Sequence, residues 1–144
     1  MSNQRFKEII KRRVYGRFKK CSYFPVSMAL NNVLYVDDEA QWRKRVQSHL
    51  RQKRIPIVDV AGNYDSGILK IKRKPYDLII TDGLNGDCFR LIEDVKGVTH
   101  GPIVIFSADM GVASQAKKLG IPYYTKLQMP QNLDKIVAAY KKNI

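Results

Sequence analysis

The chain has 144 residues, with 26 Lys and Arg against 13 Asp and Glu, for a formal charge of +13. That length suits one domain with a core of its own. No apolar run reaches membrane-span length, and no long apolar segment follows the basic N-terminus as it would in a signal peptide. Cys21 and Cys88 have no CxxC or metal-ligand spacing, and neither His49 nor His100 has a ligand neighbour, which argues against a zinc site. The expectation is a cytoplasmic protein with reduced thiols.

The charge is uneven. Residues 1–29 hold eight basic residues and one acid (Glu8), net +7, while the other 115 hold eighteen and twelve, net +6. Phe6, Ile10, Val14 and Phe18 recur every four residues among the basic side chains of this arm. Three readings stay open for it: a basic amphipathic helix, a solvated tail, or an extension upstream of a second natural start at Met28. An arm of this charge suits nucleic acid or a membrane surface.

From Asn32 onward, strand-like and helix-like segments alternate. Val33–Val36 reads as a strand. Glu39–Gln52 reads as a helix with Trp42, Val46 and Leu50 on one face. Ile55–Val60 is a second strand. A helix carrying Ile68, Leu69 and Ile71 follows, with Asn63 or Asp65 as its cap, and ends before Pro75. Leu78–Thr81 is a short apolar run of the kind buried on both faces of a parallel sheet. Asp87–Lys96 is a helix, Pro102–Phe106 a strand, Asp109–Leu119 a helix stopped by Gly120, and Ile121–Tyr124 a strand. Pro130–Tyr140 is the last helix, with Leu133, Ile136, Val137 and Tyr140 on one face. His49 and Lys53 read as solvated helix surface. Five β–α repeats imply an α/β fold, a parallel sheet with helices on both faces.

The strand ends carry the chemistry. The first ends at Asp37-Asp38, the third at Asp82, the fourth at Ser107 and the fifth at Thr125-Lys126. Parallel strands share one carboxyl-end rim, so three carboxylates, a hydroxyl and an ammonium converge there. Close carboxylates repel, and a divalent cation such as Mg²⁺ offsets that repulsion. An aspartate beside such a cation is an oxygen nucleophile for a phosphoryl group, with a lysine to neutralise the transferred charge. No P-loop pattern points to a nucleotide.

Residues 32–142 resemble the receiver domain of two-component response regulators, including the single-domain chemotaxis type. The motifs are Val-Leu-Tyr-Val-Asp-Asp-Glu (33–39), Lys-Pro-Tyr-Asp-Leu-Ile-Ile-Thr-Asp (74–82), Ile-Val-Ile-Phe-Ser-Ala (103–108) and Tyr-Tyr-Thr-Lys (123–126). The resemblance implies a doubly wound, flavodoxin-like sheet of five strands in the order 2-1-3-4-5, spanning a receiver domain at 30–144. It implies that Asp82 is the phosphoacceptor, that Asp37, Asp38, Asp82 and the backbone carbonyl of Leu84 hold Mg²⁺, and that Lys126 is the conserved-type lysine. Ser107 would be the switch hydroxyl and Tyr123 the aromatic that turns with it.

The implied partner is a histidine kinase or histidine phosphotransfer protein. The output would be a contact with a downstream protein of unknown identity, or the basic arm. The chain would be a signalling protein, with only self-directed phosphotransfer and autodephosphorylation. Three features depart from the family: Gly83-Leu84-Asn85-Gly86 replaces the usual Met-Pro loop, Leu127 replaces the usual proline after the lysine, and the segment from Ser107 to Lys126 is shorter than usual, which implies a trimmed fourth helix. These departures leave an alternative, a receiver-fold module that is not phosphorylated and binds a protein or nucleic acid through its basic surface. A haloacid-dehalogenase-type phosphatase fits less well, since its nucleophile lies in an Asp-x-Asp pattern on the first strand and this strand ends Asp37-Asp38-Glu39-Ala40.

Overall fold

The computed structural model describes residues 30–141. The basic arm expected at 1–29 lies outside the described residues. Asn31–Tyr140 forms one compact unit. Its strands are β1 (Asn32–Val36), β2 (Ile57–Ala61), β3 (Leu78–Thr81), β4 (Ile103–Ser107) and β5 (Tyr123–Thr125). They form a single sheet in the order β2-β1-β3-β4-β5, with every neighbouring pair parallel. The helices between and after them are α1 (Ala40–Gln52), α2 (Tyr64–Arg73), α3 (Asp87–Asp94), α4 (Met110–Leu119) and α5 (Gln131–Tyr140). This is the doubly wound topology that the resemblance implies.

Strand alternation divides the core in two. Leu34, Val36 and Ile79 pack with Ile71 of α2 and with Leu91 and Val95 beyond it. Ile105 packs with Cys88, Val112 and Ala116 on the same side. The alternate residues Tyr35, Ile80 and Phe106 are fully buried on the opposite face. There Trp42 of α1 meets Phe106 edge-on at 6.2 Å. Val46, Leu50, Leu133 and Ile136 are fully buried as well, which is the apolar stripe expected of α1 and α5.

Several boundaries differ from expectation for local reasons. β2 begins at Ile57 because Arg54 closes α1 in a left-handed conformation, φ 66°, and Pro56 has no amide to donate. The ladder starts where the Ile57 amide donates to Asn31 at 3.0 Å. Pro102 and Pro122 stand just before β4 and β5, offering only their carbonyls, to Ile79 and Ile105, each at 2.9 Å. Glu39 and Asp109 sit at N-caps rather than inside helices, and the Asp109 carboxylate accepts from the Gly111 and Val112 amides. Asn63 caps α2. α3 ends two residues early, at Asp94.

The reading as solvated surface holds for Lys53, whose side chain stays exposed, and is corrected for His49, which is half-buried. Both reach Asp134 of α5, His49 Nε2 at 2.6 Å and Lys53 Nζ at 3.2 Å from the same oxygen. The His49 hydrogen bond is the main cause that holds the Asp134 carboxyl below its usual range, and Lys53 adds to it against partial desolvation.

Gly101 sets the approach of β4 to β3. Its amide donates to Tyr76 at 2.8 Å, and a Cβ there would run into the Asp77 backbone carbonyl. Gly101→Ala is therefore expected to cost about 1–3 kcal/mol of stability. A lower urea midpoint at an unchanged slope would show it, and an unmoved midpoint would count against the contact.

Candidate functional site

The Asp82 amide donates to Val36 at 2.7 Å and the Asp37 amide to Ala61 at 3.0 Å, so both aspartates extend the sheet ladder one residue past their strands. This fixes their carboxylates on the common rim. One oxygen each from Asp37, Asp38 and Asp82 lie within 4.8 Å of one another. Asp37 is buried, Asp38 exposed and Asp82 between the two.

Lys126 crosses to this cluster from the end of β5. Its ammonium lies 2.6 Å from Asp37 Oδ2 and 2.7 Å from Asp82 Oδ1, and its side chain is only 6% exposed. Trp42 lies beneath it, with the ring centroid 4.6 Å from Nζ, and Arg45 stacks on the same ring, its guanidinium carbon 4.6 Å from the centroid. Charge-assisted bonds to two carboxylates and an aromatic face hold the ammonium in one place.

Each carboxylate has further donors. Asp37 Oδ1 accepts from the Glu39 amide at 2.9 Å, and its Oδ2 accepts from the Tyr35 hydroxyl as well as from Lys126. Burial first, and then the Asp37 charge, raises the Tyr35 hydroxyl far above the usual tyrosine range, so it remains a donor. Asp82 Oδ2 accepts from the Leu84 amide at 3.1 Å.

The loop after Asp82 folds as a 3₁₀ turn, Leu84–Gly86, with Leu84 at φ 50°, Asn85 at φ 54° and Gly86 at φ 97°. Leucine is rare in that region. Leu84 is held there while its side chain stays buried in the core cluster. Its carbonyl accepts from the Asp87 amide, which leaves one lone pair for any other ligand. Gly83 gives the loop room: a Cβ there would lie 3.0 Å from Ser107 Oγ and from Val112.

Ser107 ends β4 beside that glycine. Its Oγ accepts from the Asp109 amide at 3.1 Å, so the hydroxyl proton is available to a ligand. The Tyr123 hydroxyl donates to the Ser107 carbonyl at 2.6 Å. With leucine in place of proline after the lysine, the Lys126–Leu127 bond is trans; among the described residues the cis bond is Met129–Pro130.

A pocket of about 290 Å³ opens over this rim, with Asp38, Trp42, Asp82, Ser107 and Lys126 in its wall. Three carboxylate oxygens at close range, with solvent on one side, suit a hard divalent cation that keeps some of its waters. Cys88, a free thiol, takes no part: burial, then the Asp82 charge, pushes it up to about 12. Sequence reasoning missed Tyr35 and the site role of Trp42. Period-two alternation was the available signal for Tyr35, since it points to the same face as Asp37.

No protein-family model and no curated protein matches the chain. Solved structures do. A two-component response regulator from Clostridium difficile is 26% identical with a TM-score of 0.65, over 76% of this chain and 94% of that one. The BeF3-activated N-terminal receiver domain of Klebsiella pneumoniae RstA is 22% identical with a TM-score of 0.65, over 78% and 100%. The chemotaxis response regulator CheY4 of Vibrio cholerae is 22% identical with a TM-score of 0.59, over 77% and 98%. Among the described residues no helix is long and apolar enough to cross a membrane. With its strand order and these neighbours, the chain has the fold of the response-regulator receiver domains.

Proposed function

We propose that Asp82 accepts a phosphoryl group from a phosphohistidine, carried by a histidine kinase or histidine phosphotransfer protein, and that the chain is a phosphorylation-dependent switch of two-component signalling in the cytoplasm. The observation behind this reading is the Lys126 ammonium held against both Asp37 and Asp82 at the wall of the pocket.

In the transfer, an Asp82 oxygen attacks phosphorus, the phosphorus–nitrogen bond breaks, and the leaving imidazole takes a proton from solvent. Lys126 follows the negative charge onto the phosphoryl oxygens. The Ser107 hydroxyl donates to one of those oxygens. Mg²⁺, held by Asp37, Asp38, Asp82 and the Leu84 carbonyl, would supply the divalent charge that balances the incoming phosphoryl group. Tyr123, bonded to the Ser107 carbonyl, carries a movement of Ser107 to the α4–β5–α5 face, where an unidentified downstream protein reads it. A hundredfold change in that affinity needs about 2.7 kcal/mol, within reach of a few charge-assisted bonds.

Intact-mass measurement with acetyl phosphate and with a phosphohistidine carrier protein tests the reading. The wild type is expected to gain one phosphoryl group only with Mg²⁺, and Asp82→Asn to gain none. No gain from either donor would sink the proposal and favour the non-phosphorylated binding module.

A further inference from the structure

We infer that the exposed face of α1 is a docking surface for the phosphate backbone of nucleic acid. This inference is independent of phosphoryl acceptance at Asp82. It starts from charge: residues 40–58 hold six basic residues and no acid, which equals the whole +6 excess of residues 30–144. The rest of that span is balanced.

The six are not equivalent. Arg43 turns inward and donates to the Asp37 carbonyl at 2.7 Å, and Lys53 is paired with Asp134. Arg54 lies past the end of the helix. Lys44, Arg45 and Arg51 are exposed and make no ion pair among the described residues. At 3.6 residues per turn they share one face with Gln41, Ser48 and Gln52, which are also exposed. That face therefore contains only cations and hydrogen-bonding side chains, over a length from Lys44 to Arg51 of about 10 Å.

The chemistry separates the occupants. A protein interface is usually anchored by buried aromatic or aliphatic side chains. Among the described residues the exposed large hydrophobics are Ile57, Leu69, Met110, Leu119 and Leu127, none of them on this face. Guanidinium, ammonium, amide and hydroxyl groups are the groups that contact phosphate and sugar oxygens. Lys44, Arg45 and Ser48 also border a groove of about 490 Å³ whose lining includes Met129 and Pro130. Arg45 stacks on Trp42, the single tryptophan of the chain, so binding at this face has an intrinsic fluorescent reporter.

The test uses the full chain and a labelled, mixed-sequence DNA duplex, titrated by anisotropy between 50 and 200 mM salt. Lys44→Gln/Arg45→Gln/Arg51→Gln is expected to weaken binding by more than about tenfold at 50 mM and to flatten the log–log salt slope by roughly 2.7, the value for three lost phosphate contacts. A control triple, Lys117→Gln/Lys118→Gln/Lys135→Gln, removes the same charge from α4 and α5 and is expected to change affinity less than about twofold. The charge-conserving triple Lys44→Arg/Arg45→Lys/Arg51→Lys is expected to keep wild-type binding. All variants retain residues 1–29, so the differences report on the face alone. Unchanged binding in the α1 triple, or equal loss in both glutamine triples, overturns the assignment. So does preferential binding of phosphatidylglycerol vesicles or of poly-glutamate, which would give the face to a membrane or to an acidic protein.

Discussion

Lys126→Met is expected to lower the stability of the metal-free protein by about 3 kcal/mol, the low end for breaking a buried ion pair by removing one partner. The low end applies because Asp82 is 15% exposed and the pocket admits water, whereas Asp37 is fully buried. Methionine preserves most of the packing against Trp42 but leaves two carboxylates facing each other without their cation. Asp37 keeps the Tyr35 hydroxyl and Glu39 amide, and Asp82 keeps the Leu84 amide. Those donors share the charge without neutralising it. Added Mg²⁺ is expected to recover much of the loss in Lys126→Met, because the ion supplies charge at the same carboxylates, while phosphoryl acceptance remains impaired. Urea midpoints with and without Mg²⁺ separate the terms. An equal deficit in both buffers would mean that Lys126 acts by packing and not by charge.

How much of this was legible beforehand depends on the distance along the chain over which each signal acts. Leu78–Thr81 was readable to the residue because an unbroken apolar run stops at a charge. Asp82, Ser107 and Lys126 followed from the rule that parallel strands share a rim, with no need for knowledge of side-chain contacts. The stop at Gly120 is local chemistry legible in the sequence, while the structure chooses Asn63 over Asp65 as the cap of α2.

Contacts between residues distant in sequence were the ones hidden. His49 and Asp134 are 85 residues apart, and nothing near either predicts the pairing. Trp42 sat correctly on the inward stripe of α1, but its place under Lys126 depends on how α1 lies across the sheet. Leu84 gave no sign of its left-handed conformation, since glycine is the usual marker and the two glycines of that loop flank it. Tyr35 looked like strand filler because an apolar ring in a buried strand needs no partner. Only the carboxylate two residues along shows what its hydroxyl does. The strand-end chemistry was thus written in local sequence, while the groups that orient it were set by tertiary packing.

Asp38→Asn should reverse its effect on stability when Mg²⁺ is added. Without metal, Asp37 and Asp82 share one ammonium and Asp38 brings a third carboxylate oxygen within 4.8 Å of theirs, so the cluster carries excess negative charge. Asp38 is its exposed member, and removing that charge is expected to stabilise the metal-free protein by about 1 kcal/mol, the Coulomb scale for such a separation near water. Mg²⁺ held by the folded cluster and not by the unfolded chain would raise wild-type stability by roughly 2.7 kcal/mol at a hundred times its dissociation constant. An asparagine carbonyl is a poorer ligand for a hard cation than a carboxylate, and most of that gain should vanish in the variant. Asp38→Asn is therefore expected to melt above wild type in chelator and below it in saturating Mg²⁺, and Trp42 emission, expected to respond to Mg²⁺ in the wild type because the ring lines the same pocket, should become insensitive over the same range. Simple loss of surface charge would stabilise or destabilise in both buffers alike. A carboxylate that repels its neighbours without the cation and joins them in holding it makes the two melting curves exchange places.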